Sequence, residues 1–145
     1  MTKRMLMAII SLVGLMIAIY LTLYKYGVIG SLTCSVGSCE KVQTSKWSTL
    51  LGLPVATWGI GFYASTLVLT FAGIQERFAE SRGLTLGLLL LTGWGVIFSC
   101  WLTYLEWRVI DAWCQWCVVS AFLVALLFVL ALFDWRDQRV TITPA

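Results

Sequence analysis

Four of the five cysteines fall into two pairs: Cys34 and Cys39, separated by Ser-Val-Gly-Ser, and Cys114 and Cys117, in a Cys-Gln-Trp-Cys motif. At CxxC spacing on a helix both sulfurs share one face and can reach each other. Near a helix N-terminus the unpaired N–H groups and the macrodipole favour the thiolate, the species that attacks a disulfide or an electrophile. Gly37 and the flanking serines give the first pair a loop that can open and close a disulfide. Two dithiols able to meet would pass electrons from soluble thiols to an acceptor. A structural staple would explain Cys34 and Cys39 but not the CxxC. A four-cysteine zinc site has the right ligand count, but such sites sit in soluble knuckles with two close CxxC-type pairs, so no metal is expected. Cys100 lies deep in an apolar stretch and reads as a packed small hydrophobe. The chain has no histidine, which argues against bis-histidine haem, zinc hydrolase chemistry and histidine base catalysis.

The elements that must position these sulfurs are membrane helices. The 145 residues are 60% hydrophobic and 12% charged, with mean hydropathy +0.90. Soluble domains carry about 25% charged residues. Four uncharged runs, Met5–Tyr24, Val55–Ile74, Gly83–Leu105 and Ala112–Phe133, each reach the roughly 20 residues that cross a bilayer. In lipid the backbone must satisfy itself, so these runs are expected as helices. The first run is too long for the ~7–15-residue core of a signal peptide and no small-x-small cleavage site follows, so it reads as an uncleaved span.

Lys3, Arg4, Arg77, Arg82, Arg136 and Arg139 fall on one side of this arrangement, and Lys25, Lys41, Lys46 and Arg108 on the other. The positive-inside bias puts both termini in the cytoplasm. Residues 26–54 and the short turn Glu106–Asp111 then share the outer face, so all four paired cysteines lie where disulfides persist. The net charge of +3 reflects topology and calls for no nucleic acid.

The chain reads as one domain over 1–145, with spans at about 5–26, 55–74, 83–105 and 112–133. The charged connection Gln75–Arg82 makes spans two and three a hairpin, and Asp134–Ala145 reads as a frayed polar tail. In the first outer loop Val42, Trp47, Leu50 and Leu51 recur at near-helical spacing among polar residues. They predict a short amphipathic helix on the membrane surface, ended by Gly52, with Pro54 in the first turn of span two. The fold class is therefore an all-α integral membrane protein, a four-transmembrane-helix bundle with an amphipathic half-helix in the first outer loop.

A membrane-bounded CxxC needs a lipid-soluble redox partner. Trp47, Trp58, Phe62, Tyr104 and Trp113 offer flat faces for a quinone head group, and Ser120 a hydrogen bond to its carbonyl. Trp107 and Trp116 are further aromatics, and Ser45, Thr57, Thr103 and Tyr104 further polar candidates. The same aromatics would also serve as interfacial anchors.

Taken together, these residues resemble the vitamin K epoxide reductase (VKOR) family in its bacterial branch. The resemblance rests on Cys34, then Cys39-Glu40-Lys41-Val42, Ser45-Lys46-Trp47-Ser48, Gly52-Leu53-Pro54 with Gly59, Tyr104-Leu105, and Ala112-Trp113-Cys114-Gln115-Trp116-Cys117. It covers nearly the whole chain. In the functionally related DsbB-type family the CxxC precedes the other pair; here the order is reversed, as in VKOR. The resemblance implies a four-helix bundle around a quinone, capped by the half-helix, with Cys117 facing the quinone and Cys114 exchanging with Cys39. Cys34 would exchange with a thioredoxin-like, DsbA-like partner. Many bacterial members carry a fused thioredoxin-like domain, which is not seen in these 145 residues, so a separate partner is expected.

The expected function is a thiol–quinone oxidoreductase of the bacterial inner membrane. It would generate disulfides through Cys34, Cys39, Cys114 and Cys117 and deliver electrons to ubiquinone, menaquinone or a vitamin K-type quinone. One alternative is the reverse flux, thiol-driven reduction of a vitamin K-type quinone or its epoxide. Another is a non-enzymatic scaffold or transporter stapled by its cysteines.

Overall fold

The computed structural model describes residues 2–28, 46, 49–75, 77, 81–111 and 115–142. The chain forms α1 (Thr2–Lys25), a short hairpin of β1 (Thr49–Leu50) and β2 (Leu53–Pro54), α2 (Val55–Ile74), α3 (Arg82–Tyr104), a π-helical segment (Leu105–Ile110) and α4 (Gln115–Ile142). Four stretches within these helices are long and apolar enough to cross a membrane. The expected all-α four-helix bundle is what the chain builds.

The helices form a ring in the order α1, α2, α3, α4. Packing is most extensive between α1 and α2 and between α3 and α4, and sparsest between α2 and α3. Met7, Ile10, Ile17, Ala18 and Leu21 fall on one face of α1 and are buried with Tyr63, Leu88, Val124, Leu127 and Ala131. The outward faces are apolar too: Met5, Ile9, Met16, Val68, Leu90 and Phe122 are all exposed. A helix apolar all round belongs in lipid. The inward faces instead carry Ser11, Thr66, Thr70, Thr85 and Thr92, each fully buried. Small inward residues let helices approach where no hydrophobic force drives them together. The threonine hydroxyls bond back to the preceding turn, as Thr66 Oγ1 donates to the Phe62 carbonyl (2.9 Å) and Thr92 Oγ1 to that of Leu88 (2.7 Å).

One end of the bundle is tied by Arg4. Its Nε donates to Asp134 Oδ2 of α4 (3.1 Å) and its Nη2 to Thr85 Oγ1 of α3 (3.2 Å). Nη1 donates to the Gly73 carbonyl at the end of α2. That carbonyl is one of those a helix C-terminus leaves unpaired, and a cation is its favoured partner. Arg4, only 5% exposed, thus joins all four helices. Lys3 and Asp137 pair beside it. Ser81 caps α3, accepting from the Leu84 N–H (3.3 Å).

Three local features differ from the sequence reading. Leu50 and Leu51, expected at the end of an amphipathic helix, lie in a two-residue hairpin that pairs Thr49 with Pro54 and Leu50 with Leu53. Its central residues Leu51 (φ 55°) and Gly52 (φ 84°) are both left-handed, as type I′ hairpins require. Gly52 is therefore a turn residue and not a helix cap. The rest of that expected helix lies outside the described residues, apart from Lys46.

The expected turn Glu106–Asp111 is largely helical. Leu105–Ile110 continue α3 in wider π form with Leu105 and Glu106 packed inside, and the chain reverses only at left-handed Asp111 (φ 56°). The expected polar tail continues α4 to Ile142, with Asp134 held against Arg4.

Candidate functional site

At the end opposite Arg4 the helices enclose a cavity of about 370 Å³. Its wall is built from the last turns of α1, the first half of α2, the second half of α3 with the π-helical segment, and the first turns of α4. Leu50 and Leu51 of the hairpin line its edge. Two close approaches shape this space. A side chain on Gly14 of α1 would overlap the ring of Tyr63, and a Cβ on Gly95 of α3 would come within 2.7 Å of Phe62. Glycine at these two positions lets Tyr63 and Phe62 turn into the bundle, where their rings meet edge to face at 5.1 Å.

Cys117 lies on the cavity wall, half-buried. It is the third residue of α4, in the turn where free N–H groups gather. The preceding residue, Trp116, packs edge-on against Tyr20 of α1 at 5.6 Å, fixing the start of α4 to the first helix. One turn on, Ser120 also lines the cavity. The Tyr63 hydroxyl donates to the Ser120 carbonyl (3.0 Å) and lies 2.8 Å from Ser120 Oγ, which leaves the serine hydroxyl to donate to the phenol oxygen.

Of the other residues singled out from the sequence, Trp58 and Phe62 line the cavity. Trp58 Nε1 also donates to the Leu50 carbonyl (3.0 Å), tying the hairpin to α2. Tyr104 is 56% exposed and does not contribute to the wall. Cys34, Cys39, Trp47, Trp113 and Cys114 lie outside the described residues. Cys100 is exposed on α3, where the sequence reading expected a packed residue; its side chain points away from the ring of helices. Tyr63, Trp94, Phe98 and Glu106 line the cavity without having been anticipated. Tyr63 carried a usable signal, since a phenol in mid-span must find a partner.

The wall is mostly apolar and aromatic, with a few polar groups: Ser99, Thr103, Glu106, Cys117 and Ser120. A volume of this size falls in the range of about 300–1,000 Å³ typical of small-molecule sites, which combine apolar walls with few oriented polar groups. Flat faces, a sulfur and scattered donors suit a planar ring bearing carbonyl oxygens, so these residues fit a quinone head group.

Fold and site together define a multi-pass membrane protein with a cysteine at a lipid-depth cavity. Residues 5–132 match the family model of the vitamin K epoxide reductase family, and the chain belongs to that family. It is accordingly a membrane oxidoreductase of the thiol–quinone kind.

Proposed function

We propose that the chain generates disulfides by carrying electrons from an external thiol protein to a membrane quinone, ubiquinone or menaquinone. The observation that carries this reading is Cys117 on the wall of an apolar cavity that fits a quinone ring. The reduced partner, a separate thioredoxin-like protein, attacks the Cys34–Cys39 disulfide at Cys34. Freed Cys39 attacks Cys114, and Cys117 leaves as a thiolate. The partner's second thiol resolves its mixed disulfide with Cys34, Cys34 closes back on Cys39 and frees Cys114, and the Cys114–Cys117 dithiol hands its electron pair on through Cys117 as its disulfide re-forms. A bound quinone supplies the two-electron, two-proton acceptor. About 30 mV of potential difference is worth about 1.4 kcal/mol for two electrons, so a modest gap drives the relay forward.

The charge pattern supports a setting in the bacterial inner membrane with both termini cytoplasmic and the cysteine pairs on the outer face. The aromatic and polar contacts to the quinone come from Trp58, Phe62 and Ser120, completed by Trp47 and Trp113. Purified protein in lipid nanodiscs, given a reduced thioredoxin-like protein and a short-chain ubiquinone, should consume both in equal amounts. Unimpaired quinone reduction by Cys117→Ala would overturn the relay. Net formation of thiols at the expense of quinol would overturn its direction.

A further inference from the structure

Glu106 is buried, 4% exposed, yet carries a carboxyl group on the wall of the apolar cavity. Removing an acid from water in such surroundings is costly, and acids at membrane depth mark relays and substrate sites. Its neighbours divide sharply: Leu105 is buried with it, while Trp107, at 58%, and Val109, at 48%, face outward. The π-helical winding of Leu105–Ile110 keeps Glu106 turned inward at the place where the chain leaves the bundle. Inserted π turns of this kind recur at functional sites. The exposed left-handed Asp111 lies just beyond, so the segment runs from the cavity to the bundle end.

The redox chemistry needs a source of protons beside the acceptor. Converting a dithiol and a quinone to a disulfide and a hydroquinone breaks two S–H bonds and forms one S–S bond. Two electrons and two protons then arrive at the two carbonyl oxygens. The chain has no histidine to move those protons. Among the described residues of the wall, the hydroxyls of Tyr63, Thr103 and Ser120 are by nature far weaker acids than a carboxyl group. Glu106 is the one carboxyl group among them.

We propose that Glu106 is a catalytic proton donor for quinone reduction, an inference that rests on the thiol–quinone reading above. The protonated carboxyl group gives its proton to a quinone carbonyl oxygen as the electron pair arrives from the Cys114–Cys117 dithiol. It regains a proton from water at the Asp111 end of the bundle; the second carbonyl oxygen takes its proton from that water directly, and the water takes up the two protons the dithiol releases. Protons and electrons balance without any further reactant.

The test uses the full chain in nanodiscs, with dithiothreitol as thiol source and a short-chain ubiquinone as acceptor. Glu106→Gln should lower turnover on the order of 10²-fold, the usual contribution of a positioned acid. Quenching of tryptophan fluorescence by the quinone should show unchanged affinity, and reduction of the cysteine pairs by dithiothreitol should keep its rate. Infrared difference spectra of quinone reduction should contain a carboxyl C=O band that is absent from Glu106→Gln and displaced in Glu106→Asp. Acetate should restore turnover to Glu106→Ala, which a merely structural role would not allow. Undiminished turnover in Glu106→Gln, or a wild-type spectrum without a carboxyl band, overturns the inference. If Glu106→Gln does not fold, the wild-type and Glu106→Asp spectra decide. An active wild type with an equally active Glu106→Gln sinks only the role of Glu106, whereas a wild type unable to reduce quinone sinks the underlying reading as well.

Discussion

The Tyr63 hydroxyl sits 3.0 Å from the Ser120 carbonyl and 2.8 Å from Ser120 Oγ, one helical turn beyond Cys117. The pair bridges α2 and α4 across the cavity. Tyr63→Phe keeps the ring over Gly14 and removes only these bonds. A net loss of about 0.5–1.5 kcal/mol is expected, measured by thermal unfolding in detergent. Ser120→Ala spares the carbonyl partner and should cost less than Tyr63→Phe; the opposite ranking would show that the serine hydroxyl carries the bridge.

Gly14→Ala should be more damaging than its size suggests. The added methyl would overlap the ring of buried Tyr63. Overpacking of this kind costs about 1–3 kcal/mol. Tyr63→Leu in the same chain removes the overlapped ring atoms, so the double variant should be less destabilised than the sum of the singles. Strict additivity in unfolding measurements would contradict this.

Arg4→Ala leaves the Asp134 carboxylate and the Gly73 carbonyl without their shared donor. Breaking a buried pair from one side typically costs about 3–5 kcal/mol. Arg4→Lys should recover only part of this, because one ammonium cannot replace a planar fork that reaches three helices. Both variants lie far from the cavity, so the quinone KM of the surviving folded fraction should match wild type. A large KM change would show that the two ends communicate.

Trp58→Phe keeps an aromatic face on the cavity and deletes the donor to the Leu50 carbonyl. The hairpin should then detach more readily, seen as faster chymotrypsin cleavage after Leu50. Leu51→Gly should act oppositely on the backbone, since a left-handed non-glycine residue is disfavoured by about 1–2 kcal/mol. Equal cleavage rates across the three proteins would rule out this tie as a restraint.

Cys100 is exposed on the outside of α3, whereas Cys117 lines the cavity. Cys100→Ala is expected to leave thiol-driven quinone reduction unaltered, and Cys117→Ala to abolish it. A maleimide probe dissolved in lipid should label Cys100 without lowering turnover.

The bundle was readable from the chain because lipid imposes one solution on long uncharged runs. That Cys117 faces inward was an implication of the family resemblance; CxxC spacing by itself leaves its two sulfurs equivalent. What escaped had physical reasons. Near-helical spacing over Val42–Leu51 suggested a helix, but Leu51-Gly52 forms a turn whose backbone sign no periodicity reveals. Glu106 looked like a loop residue because a charge normally ends a span, while the π winding carries it inward. Arg4 looked like a topology signal, and its three partners lie 69, 81 and 130 residues away in sequence. Tyr104 follows the same aromatic logic as Trp58, yet helix rotation turns it outward.

The Arg4 tie makes the molecule resemble a clothes-peg. One side chain clips all four helices at one end, and at the other end they part around the cavity beside the two-residue turn. Local stability therefore falls along the bundle axis, since openings are cheapest where buried contacts are fewest. Amide exchange should be slowest around Gly73 and Thr85 and fastest around Leu51 and Asp111. The jaw can breathe around a large, greasy guest while the spring end keeps the four helices in register.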